Sequence, residues 1–148
     1  MAGEVGDFKE MDVWRVAMHI ARLTYQETRK LPDDERFGLV SQMRRTAVSM
    51  ASNIAEGYGR GSPKENHRFV RISRGSLNET RHWLRRAYNR ELLRPAQISR
   101  LKLMLDELGP RLNAYLDFID RSCAGRPRKP TTPNPQPTTN NKRRKTEN

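Results

Sequence analysis

Residues 52–65 read SNIAEGYGRGSPKE. Three glycines, Gly57, Gly59 and Gly61, stand within five residues and are flanked by helix formers. Such a run is either a loop that cradles a phosphate or a reversal between two helices. A dinucleotide-binding loop follows a strand, and a P-loop runs into Gly-Lys-Ser/Thr at the start of its helix. Here the preceding residues are helical in pattern and Ser62-Pro63 follows the last glycine, so both phosphate contexts are missing. Gly57 sits where a helix C-terminus accepts a left-handed residue, and Gly59 and Gly61 let the chain turn. Ser62-Pro63-Lys64-Glu65 has the form of a capping box with proline at the first helical position. The Ser62 hydroxyl would accept from the Glu65 amide, and the Glu65 carboxylate would reach back to the Ser62 amide. The stretch therefore predicts a helical hairpin. Glu56, near the negative end of the first helix, is tolerable if the turn brings it beside Arg60 or the positive start of the next helix. Asn53 and Glu56 are expected to lock the turn.

Working outward, residues 12–123 read as four helices with short breaks. The first begins at Asp12 and ends before Pro32, with Val13, Trp14, Ala17, Ile20, Ala21 and Thr24 at helical spacing. The second begins near Asp33-Asp34-Glu35, with a core stripe of Leu39, Met43, Ala47, Met50 and Ile54. Its other side carries Ser41, Val48, Ser52 and Ala55, and between Phe37 and Glu56 the only charges are Arg44, Arg45 and Glu56 itself. A helix so poor in charge is usually covered on more than one side, which predicts a subunit interface. The third helix starts at Ser62 and is expected to bury Phe69, Ile72, Ser73, Ser76, Leu77, Thr80, Trp83, Leu84 and Ala87, with Gly75 and Ser76 permitting close approach. Arg94-Pro95 breaks it. The fourth follows the heptad seam Ile98, Leu101, Leu105, Leu108, Leu112, Tyr115 and Ile119, with a kink expected at Pro110. No strand pattern appears. The expected fold is all-α, an antiparallel up-down four-helix bundle.

The 148-residue chain has 29 Lys+Arg against 17 Asp+Glu, a net of +12. That balance predicts attraction to polyanions. Residues 124–148 are rich in proline, threonine, asparagine and basic residues and hold no large apolar side chain, so they read as a disordered basic tail. Residues 1–11 read as an N-terminal arm. No run of about 18 apolar residues occurs, so no membrane span is expected, nor does the N-terminus read as a signal peptide. Cys123 is the only cysteine, which excludes an intrachain disulfide and suits a reducing cytoplasm.

Val13-Trp14, Gln42-Met43-Arg44-Arg45, Ala47-Val48-Ser49 and the run S-N-I-A-E-G-Y-G-R, followed by the S-x-x-E helix start, together resemble the bacterial four-helix-bundle family named after proteins encoded in 23S ribosomal-RNA intervening sequences. The resemblance covers residues 8–121. It implies a bundle that assembles as a ring-shaped homopentamer. It also implies a relationship to the accessory proteins of diversity-generating retroelements, basic pentamers that bind nucleic acid and a reverse transcriptase. The family has no well-defined biochemical activity, and the long basic tail departs from its pattern.

Residues 60–90 carry nine basic side chains against Glu65 and Glu79, a net of +7, and eight of the nine are arginine. On a helical projection Arg60, Lys64, Arg71, Arg74, Arg81 and Arg85 share an arc opposite the core stripe. Arginine suits bidentate phosphate contact, so this arc is the expected nucleic-acid interface, with binding that is electrostatic and independent of sequence. A solvated charged face would normally mix signs. Catalysis has no comparable support. His19, His67 and His82 are dispersed, Asp33-Asp34-Glu35 is explained as a helix start, and no nucleophile–base–orienter set can be assembled. No metal or cofactor is expected. The aromatics offer no reading platform, since Trp14 and Trp83 lie on core stripes; Tyr58 is the one candidate stacker. KRRK at residues 142–145 fits a nucleic-acid arm. The expected role is a non-catalytic accessory or scaffold that binds nucleic acid, with a purely protein-binding bundle as the alternative.

Overall fold

The computed structural model describes residue 9 and residues 11–125. The expectations for the N-terminal arm and the basic tail fall almost wholly outside them. Four helices follow in order: α1 (Asp12–Thr28), α2 (Leu39–Gly59), α3 (Pro63–Asn89) and α4 (Pro95–Ala124), with a 3₁₀ turn (Asp33–Glu35) between α1 and α2. Each helix packs its backbone against two neighbours, α1 and α3 for α2, α3 and α1 for α4. The result is a square up-down bundle around Ile20, Met43, Met50, Ile54, Val70, Leu101, Leu105, Leu108 and Leu112.

Neighbouring helices are antiparallel, because partner numbers fall on one as they rise on the other. Between α2 and α3, Arg45 meets Glu79, Ser49 meets Ser76, and the Met50 carbonyl accepts from Ser73. Between α3 and α4, His67 meets Asp120, Arg74 meets Asn113, and Arg81 meets Asp106. Between α1 and α4, Asp12 meets Arg111 and Glu27 meets Arg100.

Several local expectations are corrected. The acidic run does not begin α2. Asp33–Glu35 forms a separate 3₁₀ turn, Gly38 takes an irregular conformation, and Glu35 is held by Arg90 at the far end of α3. On α3 the buried stripe is Val70, Ser73, Ser76, Leu77, Thr80, Leu84 and Ala87. Ile72 is 43% exposed and Phe69 only half-buried. Val70 lies three residues before Ser73 and so on the same face; Ile72 is turned about 100° away from it. Trp83 is likewise half-buried, packed at the core edge.

The end of α3 comes before Arg94-Pro95. The Glu91 amide donates to the Tyr88 carbonyl at 3.0 Å and the Leu92 amide to the Ala87 carbonyl at 3.0 Å, with Glu91 at φ 56°. This is a Schellman closure with glutamate in the left-handed position that glycine usually takes. α4 then runs unbroken through Pro110, which lies on its exposed side. Its first turn is tied by the Gln97 side chain, which accepts from the Arg94 amide at 2.8 Å.

Among the described residues one charge is buried. Glu27 is 8% exposed, and its carboxylate accepts from Arg100 at 3.1 Å and from Gln97. The remaining buried polar side chains mostly satisfy themselves locally: Thr24, Thr28, Thr46 and Thr80 each donate to the carbonyl one turn back.

Candidate nucleic-acid interface

The α2–α3 turn fixes where the basic residues begin. α2 continues through Gly57 to Gly59, and Arg60, still right-handed, caps it. The left-handed residue is Gly61, at φ 69°. Gly57 therefore does not stop the helix. It is buried at the α2–α3 crossing, where an added Cβ would lie 2.8 Å from Asn66 Oδ1 and 2.9 Å from Phe69 Cβ. Ser62 caps α3, its hydroxyl accepting from the Glu65 amide at 3.5 Å, with Pro63 at the first helical position. The Glu65 carboxylate turns forward to Arg68 at 3.1 Å and leaves the expected box half-formed. Glu56 pairs with Arg60 one turn along the same helix end at 2.8 Å. Both partners are about half exposed, so the pair contributes roughly 0.3–0.5 kcal/mol. Asn53 donates to the Ser49 carbonyl at 2.8 Å, within α2 and not across the turn. Gly59 has open space around it.

The six expected phosphate-binding residues divide into three groups. Lys64, Arg71 and Arg74 come together around a shallow concavity on α3 with Arg68 and Ile72, its floor opened by Gly75, where an added Cβ would meet nothing within 4 Å. Arg81 and Arg85 line a second groove between α3 and α4. Arg60 stands apart beside Glu56, with its guanidinium 5.1 Å from the Phe69 ring centroid.

Their electrostatics also differ. Among the described residues the side chains of Lys64, Arg71, Arg85 and Arg86 have no carboxylate or hydrogen-bond partner. Arg74 is held only by the neutral Asn113, donating at 3.2 Å. Arg81 is already engaged, donating to the Leu105 carbonyl at 3.2 Å and pairing with Asp106 at 3.1 Å. Lys102 joins the same carboxylate at 2.9 Å. The Lys102 hydrogen bond, with the charges of Lys102 and Arg81, holds Asp106 below its ordinary carboxylate pKa. The open positive charge is thus Lys64, Arg71, Arg74, Arg85 and Arg86; Arg81 is a strut to α4.

Sequence reasoning missed three residues of the α3–α4 groove: Tyr88, Lys102 and His82. Tyr88 is 53% exposed. The signal was present, since the Leu84–Ala87 stripe leaves position 88 outside the core. Tyr58, the expected stacker, is half-buried in the turn.

The α2 side expected to be an interface stays at the surface. Ser41, Val48 and Ser52 are exposed, Ala55 is half-buried, and Ile72 lies exposed on the adjoining helix. Among the described residues no group of three or more His, Cys, Asp or Glu side chains is placed to hold a metal ion. His67 pairs with Asp120 at 3.2 Å, and Cys123 is exposed. Among the described residues no helix is long and apolar enough to cross a membrane.

The family model described as 23S rRNA-intervening sequence protein matches residues 9–114. A crystal structure of a protein of unknown function from the S23 ribosomal protein family of Bacteroides thetaiotaomicron VPI-5482 is similar in fold. Its TM-score is 0.64 at 20% identity, and the match covers 70% of this chain and 97% of that one. No curated protein matches the chain.

Proposed function

The chain belongs to the 23S rRNA-intervening sequence protein family, and from that premise we propose that it is a non-catalytic, oligomeric nucleic-acid-binding bundle of the cytoplasm. It grips the phosphate backbone through the outer face of α3. The observation that carries this reading is the row of basic side chains left without carboxylate partners: Lys64, Arg71, Arg74, Arg85 and Arg86. From Lys64 to Arg85 the row extends about 32 Å along the helix. Elsewhere the fold pairs its exposed arginines where a carboxylate is near, as at Arg45, Arg90, Arg100 and Arg111. Five open cations on one helix favour a polyanion, and the guanidinium fork favours phosphate.

Binding of this kind is read by its salt dependence. If four of the five cations each displace a counterion from a single strand, affinity falls roughly 50-fold between 50 and 200 mM salt. The test is fluorescence anisotropy of a labelled oligonucleotide across that range, with the wild type and with alanines at Arg71, Arg74 and Arg85. A flat salt profile, or unchanged affinity in the triple variant, overturns the proposal.

The surface formed by Val48, Ser52, Ala55 and Ile72 supports self-association, with the homopentamer as the expected state. Five α3 faces in one ring would multiply the field. Such a ring could serve as an accessory or scaffold to a nucleic-acid enzyme such as a reverse transcriptase. The same apolar surface also favours the second reading, a protein-binding bundle without nucleic-acid contact. Val48→Ser with Ile72→Ser, which removes the apolar contact without adding charge beside the open cations, separates the two. Loss of the oligomer in sedimentation with a lower affinity for oligonucleotide supports the ring; an unchanged oligomer removes this surface from the account.

A further inference from the structure

We infer that the groove between α3 and α4 is a nucleobase subsite, so that this protein prefers single-stranded to duplex nucleic acid. The inference rests on the proposed nucleic-acid reading and adds the class of strand to it. The groove has an apolar floor, Leu84 and Leu105, each no more than 5% exposed. At its rim stands Tyr88, 53% exposed, its hydroxyl without a hydrogen-bond partner among the described residues. Arg85, one turn earlier on α3, is also open, and Lys102 faces it from α4. Lys102 is shared with Asp106, so the rim carries a net positive charge even with that carboxylate ionised.

An aromatic face, an apolar floor and cations at the rim match the parts of one nucleotide. The base stacks on the Tyr88 ring, and its phosphate meets Arg85 or Lys102. In a duplex both base faces are already stacked and cannot enter. An unpaired strand offers them, and the open arginines of α3 continue along its backbone towards Lys64. The carboxylates of an acidic peptide would satisfy the cations but offer no aromatic face to stack on the exposed ring above an apolar floor.

The test uses the full chain, with a short labelled oligonucleotide offered single-stranded and as a duplex at low salt, and follows anisotropy. Tyr88→Ala should weaken single-strand binding roughly 5- to 150-fold and leave duplex binding nearly unchanged. Tyr88→Phe keeps the ring and should bind as the wild type does. Circular dichroism should give the same melting for all three proteins, because Tyr88 lies outside the core. Equal affinity for single strand and duplex, or no loss in Tyr88→Ala, overturns the base subsite while leaving phosphate binding standing. Competition by poly-glutamate as effective as by unlabelled oligonucleotide assigns the groove to acidic protein and also overturns it. Absence of any wild-type binding at low salt overturns both proposals together.

Discussion

Replacing glycine by alanine at Gly57 and at Gly75 should move stability in opposite directions. Both residues lie inside helices, where alanine is intrinsically favoured over glycine by about 1 kcal/mol. At Gly75 nothing stands within 4 Å of the new Cβ, so that gain is realised in full. At Gly57 the new Cβ would lie 2.8 Å from Asn66 Oδ1, 2.9 Å from Phe69 Cβ and 3.1 Å from the Asn66 carbonyl oxygen. Two of those three atoms cannot be moved by a rotamer change, one being a Cβ and one backbone. α2 and α3 must separate, since turning Asn66 would relieve only the Oδ1 contact and would give up the hydrogen bond it donates to the Tyr115 hydroxyl at 2.9 Å. Overpacking of this sort costs about 1–3 kcal/mol. With two contacts under 3.0 Å the upper half of that range applies, and the net loss after the propensity gain is about 1–2 kcal/mol. The two variants should therefore differ by about 2–3 kcal/mol, on the order of 10 °C in Tm for a domain of this size. Urea unfolding followed by circular dichroism measures the difference, at a concentration where both variants sediment as the same species. If Gly57→Ala proves as stable as Gly75→Ala, the close α2–α3 crossing is wrong.

Glu91 occupies the left-handed position that closes α3, so Glu91→Gly should stabilise the bundle by about 1 kcal/mol, visible as a higher Tm. The buried Glu27 carboxylate predicts an asymmetry in its ion pair. Arg100→Ala, which strands the carboxylate with only Gln97, should cost about 2–3 kcal/mol, while Glu27→Gln, which leaves a largely exposed Arg100, should cost about 1 kcal/mol; chemical denaturation of both variants decides it. The hydrogen bond from Arg90 lowers the Glu35 pKa. Its stabilisation is then complete above the unfolded carboxylate value of about 4.5 and is lost as pH falls through the lower folded value. Tm measured from about pH 3 to 6 should fall less steeply for Arg90→Gln than for the wild type. Asp106→Asn releases Arg81 and Lys102 from their shared carboxylate, and oligonucleotide affinity should rise several-fold, with a steeper salt dependence of about one further counterion.

The parts of the fold legible in the sequence were those decided within one or two helical turns. Ser62-Pro63 announced the start of α3 because a cap and a fixed φ are local properties. The seam from Leu101 to Leu112 announced the buried face of α4 because its spacing repeats; beyond it Leu116 takes the buried place expected of Tyr115, which is half-buried. What escaped notice depends on a partner distant in sequence. Gly57 looked like a helix stop because glycine serves there so often; that it lies where α3 crosses α2 depends on Asn66 and Phe69 arriving from the next helix. The end of α3 was hidden for the opposite reason. A glutamate holds the left-handed position, and no residue type marks it.

The same distinction governs the candidate interface. A helical projection treats Arg71, Arg81 and Arg85 as equivalent, since all three lie off the core stripe. Their difference is imposed by α4, which brings Asp106 and the Leu105 carbonyl to Arg81 and leaves the other two open. Charge density on a helix is a property of its sequence, but charge available to a ligand is a property of the pair of helices. A count of basic residues along α3 therefore overstates the phosphate-binding face by including Arg81. It also overlooks Lys102 and Tyr88, which become part of one groove only when α3 and α4 lie side by side. The proposed specificity for a kind of strand comes from the antiparallel packing of these two helices and not from the arginine row alone.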